Sequence, residues 1–279
     1  MTLSGKAAVA GVMGWPVSHS RSPRLHGFWL EAYGIDGAYV PLAVRPERFE
    51  TALRGLAALG MKGCNVTLPH KEATLALADH ADEVARRIGA ANTVVVREDG
   101  SLAVTNTDAF GFIENLEARA PGWPSDRPAV LLGAGGASRA VIVALLDAGV
   151  PQIRIANRTR ERAQALADTF GPAVLPVAWE ERAGALDGAG LLVNGTQLGM
   201  TGQPPLEMTL DRLGSDGVVY DLVYVPLQTD LLKAAAARHL RCVDGLGMLL
   251  HQARPGFAAW FGREPEVTGA LYAHIAEGL

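Results

Sequence analysis

The sequence has few cysteines and few charged residues for its length. Only Cys64 and Cys242 occur among 279 residues, which excludes a disulfide framework and favours a reducing compartment. Charged residues make up 19% of the chain and the formal net charge is -4, so we expect neither a nucleic acid nor a membrane surface as partner. Together with a hydrophobic content of 49%, these values are typical of a globular cytoplasmic protein.

Targeting, membrane and metal signals are also missing. The N-terminal residues have too short an apolar run for a signal peptide. The most apolar stretch, residues 129–150, contains Arg139 and Asp147, which argue against a membrane span. The histidines lack the spacing to cysteine or carboxylate that a metal site needs, so no metal is predicted.

What the chain does contain is a strand, a glycine turn, a helix and a second strand within residues 129–162. An apolar run predicts a buried strand at residues 129–132, and Gly133, Gly135 and Gly136 follow it directly. This order is typical of a dinucleotide-binding βαβ unit, in which glycines let the backbone approach a pyrophosphate at the helix N-terminus. Because Ser138 replaces the third glycine of the general fingerprint, a tight turn without a nucleotide remains the alternative.

The residues after the second strand indicate which dinucleotide is bound. An NAD site usually has Asp or Glu here, to accept hydrogen bonds from the ribose 2′-OH. This chain has Asn157, Arg158, Thr159, Arg160 and Arg162. Guanidinium groups bind a 2′-phosphate with charge-assisted hydrogen bonds, whereas a carboxylate would repel it. We therefore predict NADP as the cofactor, with a solvated position on the next helix as the alternative for Arg160.

Hydrophobic periodicity predicts an α/β fold with two domains. Strands are predicted at residues 9–13, 38–44, 63–68, 191–194 and 218–221, and helices at 107–118, 248–261 and 268–276. The first three strands alternate with helices, which favours a small parallel sheet, and Asp99-Gly100 predicts a hairpin turn. Ser22 is predicted to cap a helix that has Pro23 at its first position.

Polar side chains cluster in five short segments near predicted strand ends. These are residues 20–22, 65–71, 89–93, 106–108 and 220–224. Ligands of open parallel sheets bind beyond the carboxyl ends of the strands, so we expect these segments to line a site. Helix capping and turn formation are the alternatives for the serines, Asn92, Asn106 and Asp108.

Lys71 is the strongest candidate for acid–base chemistry. Only four of the 25 Lys and Arg residues are lysines, and lysine, unlike arginine, can give up a proton when its environment lowers its pKa. The alternative, a solvated lysine in the first turn of a helix, is weakened because a cation there opposes the helix dipole.

Eight motifs together resemble those of shikimate dehydrogenases over essentially the whole chain. They are GWPVSHSRSP, NVTLPHK, GAANT, NTD, GAGGASRA, NRTRER, YDLVY and GLGMLLHQA. The resemblance implies NADP-linked interconversion of 3-dehydroshikimate and shikimate in aromatic amino-acid (chorismate) biosynthesis. It also implies an N-terminal three-layer α/β substrate domain (residues 1–107) that C-terminal helices (about 245–279) complete, a Rossmann-type NADP-binding domain (108–244), and a monomer or homodimer.

The same resemblance implies roles for individual residues. Lys71 and Asp108 match the catalytic pair. Ser20, Ser22 and Tyr224 match the groups that hold the substrate carboxylate, and Thr67, Asn92, Asp108 and Gln252 match those that hold the ring hydroxyls. The cofactor set is Gly133, Ala134, Gly135, Gly136, Ala137, Asn157, Arg158, Thr159, Arg162, Leu222 and Gly245. Ala91 and Ala109 depart from residues common in the family, which bears on fine substrate preference rather than on the chemistry. Leu222 stands where relatives often have Met or Ile, and the resemblance implies that it only packs against the nicotinamide.

Two alternative functions remain open at this point. One is a related dehydrogenase that acts on quinate or a broader set of hydroxy acids. The NAD-using, quinate-preferring relatives tend to have Asp near the position of Arg158. The other alternative is a non-catalytic NADP-sensing module, which the pairing of Lys71 with Asp108 argues against because a sensor needs no proton donor.

Overall fold

The computed structural model describes residues 2–279, and the chain divides into two units, each built on its own sheet. The chain up to Thr107 and the segment Gln252–Ile275 form the first unit, whereas Asp108–His251 and Ala276–Leu279 form the second. The predicted fold class, an α/β protein with an N-terminal unit that C-terminal helices complete and a Rossmann-type unit, is confirmed.

The first unit alternates strands and helices along the chain. Its strands are β1 (Ala8–Gly14), β2 (Gly37–Ala43), β3 (Gly63–Val66), β4 (His80–Ala81), β5 (Thr93–Val96) and β6 (Leu102–Thr105). Its first four helices are α1 (Ser22–Ala32), α2 (Phe49–Ala58), α3 (Lys71–Leu77) and α4 (Glu83–Ile88), with a 3-10 turn at Pro46–Arg48 before α2.

The sheet of the first unit is mixed: the parallel arrangement predicted for its first three strands is confirmed, and the antiparallel hairpin extends the sheet beyond them. In the order β2-β1-β3-β5-β6-β4, the strands β1, β2 and β3 are parallel, whereas β5 runs antiparallel to both β3 and β6. The hairpin turn, where Gly100 has a φ of +83°, is too short for a parallel crossover, which needs a dozen residues or more. The predicted hairpin itself is confirmed.

Ser22 does not cap α1 as predicted. Arg21 already has helical backbone angles and takes the capping position, with no side-chain cap. Ser22 is therefore the first residue of the helix, with Pro23 in the first turn, and its side chain is buried rather than turned toward the free N–H groups.

The second unit has a single all-parallel sheet. Its strands are β7 (Ala129–Leu132), β8 (Ile153–Ala156), β9 (Val174–Val177), β10 (Leu191–Asn194), β11 (Val218–Asp221) and β12 (Arg241–Val243). Its helices are α5 (Asp108–Arg119), α6 (Gly136–Asp147), α7 (Arg160–Phe170) and α8 (Asp230–Ala237). The strand order β12-β11-β10-β7-β8-β9 reverses between β7 and β10, as in the doubly wound fold.

Two C-terminal helices follow, α9 (Gly245–Phe261) and α10 (Gly269–Ala276). The division between the units falls inside α9, between His251 and Gln252. Trp260 near the end of α9 donates its indole N–H to the carbonyl of Val94 on β5 at 2.9 Å. Gly63 has a φ of +147°, and a Cβ there would lie 2.5 Å from the Trp260 indole nitrogen, so only glycine fits beneath this helix.

Two classes of feature are absent from the part of the chain that the structure describes. Over residues 2–279, no helix combines the length and apolar character needed to cross a membrane. Over the same residues, no group of three or more His, Cys, Asp or Glu side chains is placed to hold a metal ion.

Candidate active site

The polar segments of the first unit meet at one edge of its sheet. In the sheet, β2 lies on one side of β1 and β3 on the other, so the strand order reverses between β1 and β3, which is where open sheets of this kind bind their ligands. Thr67, which follows β3, donates its N–H to the carbonyl of Met13 at 2.9 Å. A Cβ on Gly14 would lie 2.4 Å from the Thr67 methyl carbon, so glycine at the end of β1 lets Thr67 approach.

The antiparallel hairpin brings two further segments to the same edge. Asn65 at the end of β3 pairs with Thr93 at the beginning of β5, which in turn pairs with Thr105 at the end of β6. Residues 89–93 lead into β5, and residues 106–107 follow β6. Because β5 runs antiparallel to both β3 and β6, the two segments lie beside the end of β3. Residues 65–71, 89–93 and 106–107 therefore converge within the first unit, whereas Asp108 and residues 220–224 belong to the second unit.

A buried hydrogen-bond network fixes the orientation of Asn92. Its Oδ1 accepts from the N–H and the hydroxyl of Thr107, at 2.8 and 3.1 Å, and from the hydroxyl of Thr93 at 3.0 Å. Its Nδ2 donates toward Oε1 of Gln252, 3.5 Å away, and the Thr107 hydroxyl lies 3.4 Å from the same oxygen. Because Oδ1 is occupied by donors, the amide presents Nδ2 as its donor side.

The main chain of Lys71 is tied to this network. Lys71 is the first residue of α3 and is half-buried, and its carbonyl accepts from the N–H of Ala91 at 2.9 Å. Ala91 directly precedes Asn92, so the proposed proton donor and an amide of the site share one backbone anchor. His70 beside it is buried, bonded through Nε2 to the carbonyl of Val44 at 2.8 Å and stacked on Phe49, which makes it a support of the loop.

Several residues of this region carry no strong local signal in the sequence. Tyr39 donates its hydroxyl to Asn65 Oδ1 at 2.6 Å, and the imidazole of His26 stacks on the Tyr39 ring with centroids 3.8 Å apart. Asn65 and Thr93 fall within the polar segments, but their mutual hydrogen bond of 3.1 Å depends on strand register. Cys64, predicted to be a small buried thiol, is fully buried, and burial raises its pKa to about 12.

His26 makes the stability of the first unit dependent on pH. Its ring is fully buried and neither ring nitrogen has a hydrogen-bond partner among residues 2–279. Burial lowers the pKa of His26 from 6.5 to about 3, although the nearby Asn65 side chain opposes this shift. Between these two values the unfolded chain binds a proton that the folded chain does not, so the free energy of unfolding falls as pH falls. The expected loss between about pH 6.5 and about pH 4 is roughly 3 kcal/mol.

Denaturant unfolding of the wild type and the variant His26→Phe across this range tests the expectation. The difference in unfolding free energy between the two proteins should grow in favour of the variant as pH falls. His80→Gln, a change at an exposed histidine, serves as the control. Parallel pH profiles for wild type and His26→Phe would show that His26 is not buried as a neutral base.

In the second unit, the glycine turn lies where the strand order reverses. Gly133 has a φ of +98°, and a Cβ there would lie 2.9 Å from the Thr196 methyl carbon and 3.1 Å from the Gly195 carbonyl oxygen. Gly135 and Gly136 differ, because added Cβ atoms would meet no protein atom within 4 Å. The space above them is open at the N-terminus of α6, whose first turn has no acidic residue, and this fits a bound pyrophosphate.

Ser138, the departure from the general fingerprint, closes the turn by hydrogen bonds. It is fully buried, its hydroxyl donates to the carbonyl of Gly133 at 2.9 Å, and it accepts from the N–H of Gly135 at 3.2 Å. The third glycine of the fingerprint normally allows close packing of helix and strand. Here a small hydroxyl occupies that place without blocking the turn.

The segment after β8 carries three exposed arginines and one exposed glutamate. Asn157 accepts from the N–H of Ala134 at 3.1 Å and donates to the carbonyl of Thr159 at 2.7 Å, so it joins this segment to the glycine turn. Arg158 and Arg162 are exposed, and neither side chain forms a hydrogen bond or ion pair with any residue between 2 and 279. Their charges are available to an anionic ligand.

The remaining predicted residues of this unit lie after β11. A Cβ on Gly245 would fall 2.1 Å from the Leu222 carbonyl oxygen, so the two predicted contacts for the nicotinamide end lie against each other. Asp221 is fully buried and accepts from Asn194, from the Thr229 hydroxyl and from the Val223 N–H, at 2.9, 2.6 and 3.0 Å. Burial raises its pKa, and its bonds make it a structural group, whereas Tyr224 is half-buried.

The fold and the candidate site together indicate a class of enzyme. An open glycine turn at the reversal point of an all-parallel sheet, beside an unpaired cationic segment, is the arrangement of a dinucleotide-dependent dehydrogenase. The first unit adds a cluster of hydrogen-bonding side chains and a half-buried lysine, which suits a small hydroxylated substrate.

Comparison with known proteins gives the family. The family described as "Shikimate dehydrogenase substrate binding domain" matches residues 12–94, and "Shikimate / quinate 5-dehydrogenase" matches residues 118–197. A shikimate dehydrogenase (NADP(+)) of Paramagnetospirillum magneticum is 62% identical over 274 residues, which are 98% of this chain and 99% of the relative. This chain belongs to the shikimate dehydrogenase family.

Solved structures agree with this result. The shikimate 5-dehydrogenase of Thermus thermophilus in complex with NADP(H) and shikimate is 38% identical, with a TM-score of 0.86 over 98% of this chain and 100% of that one. The quinate dehydrogenase of Corynebacterium glutamicum in complex with NAD is 33% identical, with a TM-score of 0.89 over 96% and 98%. The fold is thus common to shikimate and quinate enzymes.

Two glycine substitutions should separate stability from cofactor binding. Gly133→Ala places a side chain at positive φ against Gly195 and Thr196, so it should lower the free energy of unfolding by about 2–4 kcal/mol. Gly135→Ala has an ordinary φ of -94° and open space, so stability should change little while NADP affinity falls. Denaturant unfolding and NADPH titration measure the two effects. Equal stability of both variants would contradict the role given to Gly133.

Proposed function

We propose that this protein catalyses the reversible NADPH-dependent reduction of 3-dehydroshikimate to shikimate, a step of aromatic amino-acid (chorismate) biosynthesis. The observation that carries the proposal is the convergence of the polar segments, with Lys71, at one edge of the first unit's sheet. A cyclic acid with several hydroxyls needs such a set of donors and acceptors. The names and bound ligands of the relatives point to the same substrate.

The substrate is held from two sides in this proposal. Ser20 and Ser22, with Tyr224, bind the carboxylate, which hydroxyl donors suit. Thr67, Asn92, Asp108 and Gln252 bind the ring hydroxyls. The donor side of Asn92 is already fixed by its three accepted hydrogen bonds, so little conformational freedom is lost when substrate binds.

The chain supplies the proton for the reaction. Negative charge develops on the carbonyl oxygen during reduction, and the protonated Nζ of Lys71 stabilises it and then donates a proton. Asp108 orients the Lys71 ammonium in this proposal and accepts a hydrogen bond from a neighbouring hydroxyl. Asp108 directly follows Thr107, whose N–H donates to Asn92 Oδ1. The residue that assists Lys71 and a residue that binds a ring hydroxyl are therefore joined through one short segment of the chain.

The cofactor residues lie in the second unit in this proposal. When bound, NADPH supplies the hydride. Gly133, Ala134, Gly135, Gly136 and Ala137 hold the pyrophosphate. Asn157, Arg158, Thr159 and Arg162 hold the 2′-phosphate, and Leu222 and Gly245 contact the nicotinamide end. The first unit is accordingly the substrate domain and the second the NADP domain. We place the enzyme in the cytosol as a monomer or homodimer without nucleic-acid or membrane partners.

A spectrophotometric assay tests the proposal. Shikimate and NADP added to the purified protein should produce NADPH, detected by its absorbance. Quinate replaces shikimate in a parallel reaction, because the family and one structural relative include quinate enzymes. A folded sample that produces NADPH from quinate but not from shikimate would replace the proposal by the quinate alternative.

A further inference from the structure

Tyr39 is buried in the first unit, yet it makes a short polar contact with the site edge. It is 7% exposed, lies in β2, and donates its hydroxyl to Asn65 Oδ1 at 2.6 Å. Burial raises the pKa of Tyr39 well above its ordinary range, with Cys64 adding to the shift and the Ser22 side chain opposing it. The phenol therefore keeps its proton and remains a donor.

The ring of Tyr39 is held by packing. His26 stacks on it with an interplanar angle of 3°, and His26 itself lies against Trp29, Phe257 and Trp260, with centroids 5.7 to 5.8 Å away. Within the described part of the chain, both nitrogens of His26 lack a hydrogen-bond partner, so His26 supports Tyr39 by packing rather than by polar contacts. The Tyr39 hydroxyl is thereby aimed in one direction.

The contact determines which way the Asn65 amide faces. Because Oδ1 of Asn65 accepts from Tyr39, its Nδ2 donates to the Asn92 carbonyl at 3.2 Å and to the Thr93 hydroxyl oxygen at 3.1 Å. The Thr93 hydroxyl then donates to Asn92 Oδ1 at 3.0 Å. A chain of buried hydrogen bonds thus runs from Tyr39 to the amide of Asn92, and each bond fixes the direction of the next.

We propose that Tyr39 is a positioning residue for substrate binding, and that it acts through Asn65 and Thr93 to hold the Asn92 amide with its donor side toward the substrate. This inference rests on the proposed function, since Asn92 is there assigned to a ring hydroxyl. Without the phenolic hydroxyl, Asn65 Oδ1 loses its donor, and the orientation of the Asn65 amide is held only by the bonds of Nδ2 to the Asn92 carbonyl and the Thr93 hydroxyl oxygen. Asn92 Oδ1 keeps its two bonds from Thr107, but its third donor, the Thr93 hydroxyl, is held less firmly, so part of the order of the Asn92 amide must come from the substrate at the expense of affinity.

The variant Tyr39→Phe tests the role in kinetics. We expect KM for shikimate to rise about 10-fold, with kcat changed less than about 3-fold and KM for NADP unchanged. Tyr33→Phe is the matched control, since it removes from the same unit a phenolic hydroxyl that accepts from the N–H of Glu266 at 3.1 Å. That control should leave KM for shikimate unchanged.

A double-mutant cycle tests the route. In a Thr93→Val background, the hydrogen bond from the Thr93 hydroxyl to Asn92 Oδ1 is already lost. Adding Tyr39→Phe to that background should therefore raise KM for shikimate less than about 3-fold. A full 10-fold rise in that background would show that Tyr39 does not act through Thr93. An unchanged KM in the single variant would also overturn the inference.

Nuclear magnetic resonance makes the test independent of the reaction. The side-chain amide resonances of Asn92 should shift or broaden in Tyr39→Phe but not in Tyr33→Phe. If they are unchanged in a folded Tyr39→Phe sample, the inference fails whatever the substrate is. If they change while the wild type does not oxidise shikimate, the positioning role stands and the proposed function fails.

Discussion

Lys71→Ala is expected to lower kcat by at least about 100-fold, because it removes the group that stabilises the developing oxyanion and supplies the proton. Substrate affinity should fall much less, since the carboxylate and the ring hydroxyls keep their partners. Steady-state kinetics in both directions measure the change. The backbone anchor between Lys71 and Ala91 does not depend on the side chain, so the fold should be retained.

Two further variants separate proton transfer from general electrostatics. Lys71→Arg keeps a positive charge but cannot release a proton near neutral pH, so it should remain strongly impaired. Lys62→Ala removes an exposed lysine of the same unit and should have wild-type turnover. Wild-type-like turnover in Lys71→Ala would remove Lys71 from the mechanism, and full activity in Lys71→Arg would reduce its role to charge alone.

Arg158→Asp is expected to lower kcat/KM for NADPH by about 100-fold, while kcat/KM for NADH stays nearly unchanged. The wild-type guanidinium is exposed and has no partner among residues 2–279, so its loss breaks no internal contact. The substitution removes a charge-assisted hydrogen bond to the 2′-phosphate and adds repulsion, and the two effects together are worth roughly 3 kcal/mol. NADH has no 2′-phosphate, so neither the lost hydrogen bond nor the added repulsion changes kcat/KM for NADH.

Arg160→Asp is the matched control for the cofactor prediction. Arg160 is equally exposed but lies outside the predicted cofactor set, as the first residue of α7. It should change kcat/KM for NADPH by less than about 3-fold. Equal losses for the two variants would show that the segment acts by its overall charge rather than through Arg158, and parallel losses with NADH would indicate a misfolded turn.

The sequence predicts the second unit better than the first. The predicted bounds of three of its strands, at residues 129–132, 191–194 and 218–221, are those that the structure has. Buried parallel strands are short continuous apolar runs, and glycine or polar residues end each of them clearly. In the first unit, the same kind of pattern predicts strand positions but not the reversed direction of β5, because direction depends on the length of the connection and on pairing.

The contacts that organise the candidate site are the hardest part to predict. Lys71, Asn92 and Thr67 stand in segments whose polar character is evident locally. Tyr39 and His26 do not, since a tyrosine in a strand and a histidine in a helix are ordinary core residues until the fold stacks them. Their relation to Asn65 arises only from strand pairing, which a single sequence does not specify residue by residue.

The most direct measurement of the central claim is a four-way comparison of initial rates. Shikimate and quinate are each oxidised with NADP and with NAD, at equal enzyme concentration. The account predicts the highest kcat/KM for shikimate with NADP, and a loss of that preference for NADP in Arg158→Asp. Preference for quinate with NAD, or no oxidation of either substrate by a folded sample, would contradict it.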